Sequence, residues 1–123
     1  MNLKVVNLTA IALAALTAPA FAHHSFAMFD PDQTITKAGT VKEFEWTNPH
    51  VWIQLMVDEN GQIVEYSIEA GSPNTLVRRG WTSKSVKPGD RITVTINPLR
   101  EQGRKGGSFV KAVLPDGSTL AQG

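Results

Sequence analysis

The sequence contains no cysteine. That excludes disulfides, thiolate metal sites, a thiol nucleophile and a lipid-anchored N-terminal cysteine. An excess of one charge is also missing, since 12 basic residues face 11 acidic ones. The surplus cation is accounted for by Lys4, so from His23 onward the side chains sum to zero with neutral histidines. This balance disfavours a nucleic-acid protein, which needs net positive charge to displace counterions from phosphates. Internal repeats, low-complexity tracts, phosphate-binding loops, nucleotide fingerprints and zinc-protease helices are absent as well. Ser25 beside His24 lacks an orienting third group, and Glu43 and Glu45 share one strand face as solvent-facing carboxylates. An enzyme is therefore not expected.

What is present begins with MNLKVVNLTAIALAALTAPAFA, which has one early lysine, an apolar run from Leu8 to Leu16, Pro19, and small residues at Ala20 and Ala22. This is the layout of a secretory signal peptide. The apolar run falls short of the roughly 20 residues that a membrane-spanning helix needs. Cleavage after Ala22 makes His23 the first mature residue and the product periplasmic or secreted, without stable membrane insertion. A cut after Ala20 would instead place His23 third. Without disulfides, an exported domain must be held by its core alone. The organisation expected is a signal peptide over 1–22, an N-terminal arm over 23–36 and one barrel domain over 37–120.

Period-two alternation marks the strands. In VWIQLMVD, Val51, Ile53, Leu55 and Val57 share one face, and after Asn60-Gly61 the row resumes with Val64, Tyr66 and Ile68. Asn-Gly tolerates the positive φ angles of a type I′ turn, so the two segments form a hairpin. GTVKEFEW, from Gly39 to Trp46, precedes them as a strand whose apolar face shifts, which calls for a β-bulge. Ser72-Pro73 starts a short helix that Gly80 ends, with Trp81 folding back onto Leu76. A type II turn at Lys87-Pro88-Gly89-Asp90 leads to a fourth strand with Ile92, Val94 and Ile96 inward, and SFVKAVLP supplies a fifth. Three strands, a helix and two strands follow the order of the OB-fold, so the fold class is all-β with one short helix in a small five-stranded OB-like barrel. An SH3-like barrel is the rival, but it has no natural place for the helix.

The segments AHHSFAMFD, GTVKEFEWTNPHVWI, SPNTLVRRGW and KPGDRITV resemble those of a family of small exported bacterial proteins that carries only a domain-of-unknown-function label. The resemblance implies an exported small β-barrel. It implies no activity or ligand.

Three sets of residues are candidates for chemistry. A histidine at a free N-terminus chelates Cu(II) through its α-amine and ring nitrogen, so His23, His24 and His50 are candidate metal ligands, with Met28 and Met56 as sulfur donors to Cu(I). No cofactor is required, and the histidines are equally read as arm and loop residues. Trp52 points away from the apolar row and offers a stacking platform, while Trp46 and Trp81 are read as closing the barrel ends. Asn48 and His50 in the first loop, with Arg100, Arg104 and Lys105 in the last long loop, complete a ligand-binding face; Arg78 and Arg79 on the helix are further cations. A solvated loop explains the same cations without a ligand. The leading expectation is a non-enzymatic binding module for a small ligand or an envelope protein partner, with no nucleic acid bound. A copper protein built on His23 is the alternative. N-terminal mass spectrometry of the exported protein is expected to find His23 first, and an intact leader on exported material would overturn the export reading.

Overall fold

The computed structural model describes residues 26–123. After a 3-10 turn, Phe26–Met28, come strands β1 (Ile35–Glu45), β2 (Trp52–Glu59) and β3 (Gln62–Glu69), helix α1 (Pro73–Arg78), then β4 (Arg91–Pro98), β5 (Gly106–Val113) and β6 (Thr119–Ala121). The sheet order is β3-β2-β1-β4-β5-β6, and a parallel pairing of β3 with β5 closes the first five strands into a barrel. This is the OB-like architecture expected, with one more strand. Only three residues long, β6 pairs Lys111–Val113 and falls below the length at which alternation is readable.

β1 serves two neighbours. Its first half pairs with β4 and its second half with β2, and the register slips between Val41 and Glu43, so Lys42 is the extra residue of the expected bulge. Bulging lets one strand bend from one wall of the barrel into the next. The strand begins at Ile35, earlier than the Gly39 expected from pattern, because Ile35–Gly39 gains its partners from distant β4. Asn60 and Gly61 both have positive φ (56° and 84°), as the type I′ hairpin demands.

Helix α1 is capped at both ends. The Ser72 hydroxyl accepts from the Thr75 amide, and the Gly80 and Trp81 amides donate to the Val77 and Leu76 carbonyls at 3.0 Å each, a Schellman ending. This ending turns Trp81 inward, where it meets Phe109 edge to face with ring centroids 4.9 Å apart. Around that pair lie Ile53, Leu55, Ile68, Leu76, Ile92 and Ile96, all essentially inaccessible. Each such side chain contributes about 1.5–3 kcal/mol by leaving water. The indole N–H of Trp81 donates to the Ala121 carbonyl, so β6 meets the polar need of the largest core residue.

Barrel closure depends on close backbone approach at the start of β5. A Cβ on Gly106 would lie 2.2 Å from the Ser67 carbonyl oxygen, and one on Gly107 2.2 Å from that of Asn97. Neither neighbour is a flexible side-chain tip, so the strands themselves would have to separate. Gly107→Ala is expected to destabilise the protein by about 2 kcal/mol or more, the scale of an overpacked core. Urea unfolding measures this against Ile63→Thr on the exposed hairpin, which is expected to stay within about 0.5 kcal/mol of the parent.

Candidate functional site

The outer face of the β2–β3 hairpin is set by register. Trp52 lies opposite Glu69 and Gln54 opposite Ser67, alternating with the inward pair Ile53 and Ile68. Glu69 also pairs across the closing seam with Ser108 of β5, so Trp52, Glu69 and Ser108 form a row across three strands. In OB barrels this face, flanked by the first and last long loops, is the usual binding surface.

The first loop delivers His50. The Val51 amide donates to the Gly71 carbonyl at 2.9 Å and the Ala70 amide to the Val51 carbonyl at 2.8 Å, stitching the start of β2 to the residues after β3. Thr47 Oγ1 donates to the His50 carbonyl, and the Asn48–Pro49 peptide is cis. His50 Nδ1 reaches Glu69 Oε1 at 2.6 Å, with the imidazole 38% exposed and the carboxylate side chain only 8% exposed. Glu69 Oε2 is buried and has no hydrogen-bond partner among the described residues. A carboxylate only accepts, so Nδ1 is the donor and Nε2 is left on the far side of the ring.

Across this pair lies the arm. Phe29 bridges to Leu99, the Asp30 amide donates to the Pro98 carbonyl at 2.9 Å, and the Arg100 amide donates to the Met28 carbonyl at 2.9 Å. Arg100 Nε adds a bond to the Ala27 carbonyl at 3.0 Å. The strap seats Phe29, 8% exposed, between two cavities. The larger, ≈ 380 Å³, is walled by Phe29, His50, Glu69, Gly71, Thr75 and Ser108. The smaller, ≈ 160 Å³, is walled by Phe29, Trp52, Glu69, Leu99, Arg104 and Lys105. Phe29 and Glu69 belong to both.

The loop cations are already engaged. Arg104 meets Glu101 at 3.1 Å, and Lys105 meets Glu59 at 3.1 Å. Glu59 also accepts from the Tyr66 hydroxyl and from Lys37. Led by the Tyr66 bond, then Lys105 and Lys37, these donors hold its carboxyl down at about 2. Burial, and then the bond to Glu59, push the Tyr66 phenol up, while the same carboxylate raises Lys37. Both ammonium groups lie over the Tyr66 ring, at 5.4 and 6.0 Å from its centroid.

Of the residues expected from sequence, His50, Trp52, Arg104 and Lys105 are brought to the walls of adjoining cavities. Trp52 is half-buried, and Trp81 is fully enclosed while Trp46 packs on Phe44 at the core margin. Asn48 is exposed in its loop and lines neither cavity, and Arg100 is turned to the arm. Arg78 and Arg79 are exposed on and just after α1, outside both cavities. Met28 lines the smaller cavity, and Met56 sits half-buried opposite Thr40 and Glu65. His23 and His24 lie outside the described residues, among which no group of three or more His, Asp or Glu side chains is placed to hold a metal. Sequence reasoning missed Glu69 and Ser108. Counting outward from Asn60-Gly61 would have placed Glu69 opposite Trp52, but the seam with Ser108 has no local signal.

A family model described as a family of unknown function (DUF6152) matches residues 10–109. Among solved structures, the mitochondrial single-stranded DNA binding protein Rim1 from S. cerevisiae is similar at 16% identity and a TM-score of 0.49, over 74% of this chain and 97% of that one. Among curated proteins nothing matches. No helix among the described residues is long and apolar enough to cross a membrane.

The Glu59 cluster makes stability acid-sensitive in a defined window. Its folded carboxyl sits below the ordinary value of 4.5, so between 4.5 and about 2 the unfolded chain binds more protons than the folded one. The stabilisation is present in full above 4.5 and is lost as pH falls toward 2. Urea midpoints measured across that window are expected to fall more steeply in the parent than in Glu59→Gln.

Proposed function

The chain belongs to this family of unknown function, so the site carries the reading, and we propose an exported, non-enzymatic binding module. It takes a small ligand, or a side chain of an envelope protein partner, on the β2–β3 face between the loops that carry His50 and Lys105. The observation that carries this reading is the pair of adjoining cavities whose common wall holds a buried carboxylate oxygen without a partner. Buried polar atoms in folded proteins are almost always satisfied, and an exception at the wall of a cleft is where a ligand's donor belongs. His50 and Glu69 resemble the base and orienting acid of a triad, but among the described residues no hydroxyl is bonded to the imidazole. The role proposed for the pair is recognition. Nucleic acid is disfavoured by the neutral side-chain balance and by the engagement of Arg104 and Lys105 with carboxylates.

A copper reading draws support from the same pair. A carboxylate on Nδ1 fixes the imidazole orientation and leaves Nε2 for a metal, the arrangement that commonly backs metal-ligating histidines. His23 and His24 would supply the remaining nitrogens, with the α-amine released by signal cleavage.

Both readings are tested on the chain from His23 onward. In a nuclear magnetic resonance screen of envelope glycans, amines and anions, shifts are expected to cluster on His50, Trp52, Ala70, Gly71 and Ser108. Shifts scattered over the barrel, or none at saturating concentration, would overturn the binding face. Copper is read by electron paramagnetic resonance. A nitrogen-rich Cu(II) spectrum lost in both His23→Ala and His50→Ala supports the metal site, and indistinguishable weak spectra from parent and variants sink it.

A further inference from the structure

We propose that the larger cavity recognises a small organic cation, its ammonium group seated on Glu69 Oε2 beside the Ser108 hydroxyl. This inference rests on the binding-module reading of the same cleft. Its starting point is a charge without compensation. Burying an ionised carboxylate is costly unless each oxygen finds a donor, and Glu69 has a donor at Oε1 only. The cations that line the neighbouring cavity are directed to other carboxylates, Arg104 to Glu101 and Lys105 to Glu59. A ligand donor is what the site lacks, and a charged donor answers a carboxylate about twice as strongly as a neutral one.

The walls fit the rest of such a molecule. Register places Ser108 beside Glu69 across the seam, and Phe29 lines the same cavity from the arm, while Trp52, on the other side of Glu69, lines the smaller cavity. An aromatic face beside a carboxylate favours an ammonium group through the ring quadrupole, and the serine oxygen accepts a further N–H. Phe29 and Ala70 offer apolar surface to a short carbon chain, in a cleft of ≈ 380 Å³ that is small for a ligand site. Oε2 is sealed from solvent, so a ligand reaches it only by displacing part of the wall, and we assign that movement to the Phe29 segment, which is held to the last long loop through Pro98, Leu99 and Arg100.

The test uses three probes of one shape and different charge: n-butylammonium, 1-butanol and butyrate, titrated into the chain from His23 at constant ionic strength. Amide shifts of Ala70, Gly71 and Ser108 report occupancy of the cleft. Butylammonium is expected to saturate these shifts with at least about tenfold higher affinity than butanol, and Glu69→Gln to lose about tenfold, the scale of one charge-assisted hydrogen bond. Ser108→Ala, which keeps the carboxylate and the barrel closure, is expected to weaken butylammonium about threefold and decides the matter if Glu69→Gln does not fold. Butanol or butyrate shifting the same amides with equal affinity, or butylammonium binding unchanged in the variants, would overturn the cation and leave the cleft standing. Silence from all three probes would overturn both.

Discussion

The parallel seam between β3 and β5 is the constraint on which the structure depends. It pairs Ser67 with Gly106, Ile68 with Gly107 and Glu69 with Ser108, and it turns a meandering sheet into a closed wall. Gly106 permits it, since a Cβ there would collide with the Ser67 carbonyl oxygen of β3, and Gly107 does the same for the pairing of β5 with β4 at Asn97. The same seam shapes the proposed site, because it brings the last long loop of the chain against the end of the hairpin. Without it Glu69 would face open solvent, and the arm held by Arg100 would have no wall to cover.

Two buried or half-buried carboxylates on the same hairpin show what this geometry does. Glu59, at the end of β2, gathers donors from Tyr66, Lys37 and Lys105, which come from β3, β1 and the last loop. Its charge is answered several times over, and it ties three separate parts of the barrel together. Glu69, at the end of β3, receives one donor from His50 and keeps an oxygen unanswered. Physical chemistry treats the first as a structural clamp and the second as an unfinished site. That difference, more than the size of either cavity, is the ground for placing the proposed site at this end of the hairpin.

Most of the barrel was legible in the sequence because its strands alternate and its turns declare themselves. Asn60-Gly61, Pro88-Gly89 and the Ser72 to Gly80 helix each formed as their local chemistry dictates. Even the bulge in β1 was readable from the shift between Val41 and Phe44. The early start of β1 and the short β6 were not, since each owes its existence to partners far along the chain. The site divides in the same way. His50, Trp52 and the loop cations stood out as residue types at loops and strand ends, whereas Glu69 looked like any outward-facing glutamate of a hairpin. It sits between Trp52 and Ser108 in the closed wall, with Phe29, forty positions earlier in the chain, lining the same cavities, and no local pattern encodes that meeting.

Arg100 shows why charge counting alone misplaces a loop's partners. Read in sequence it joins Arg104 and Lys105 in a basic loop on a candidate ligand-binding face. In the fold each of the three is occupied: Arg100 with an arm carbonyl, Arg104 with Glu101 and Lys105 with Glu59. The loop's positive charge is therefore spent on holding the loop and the arm in place, and the charge left over at the cleft is negative. A basic loop thus stands beside an acidic wall, and the proposed ligand takes its sign from the wall. The arrangement follows from where the carboxylate partners fall: Glu59 and Glu101 each have a cation within reach, and Glu69 shares its buried position with a single imidazole.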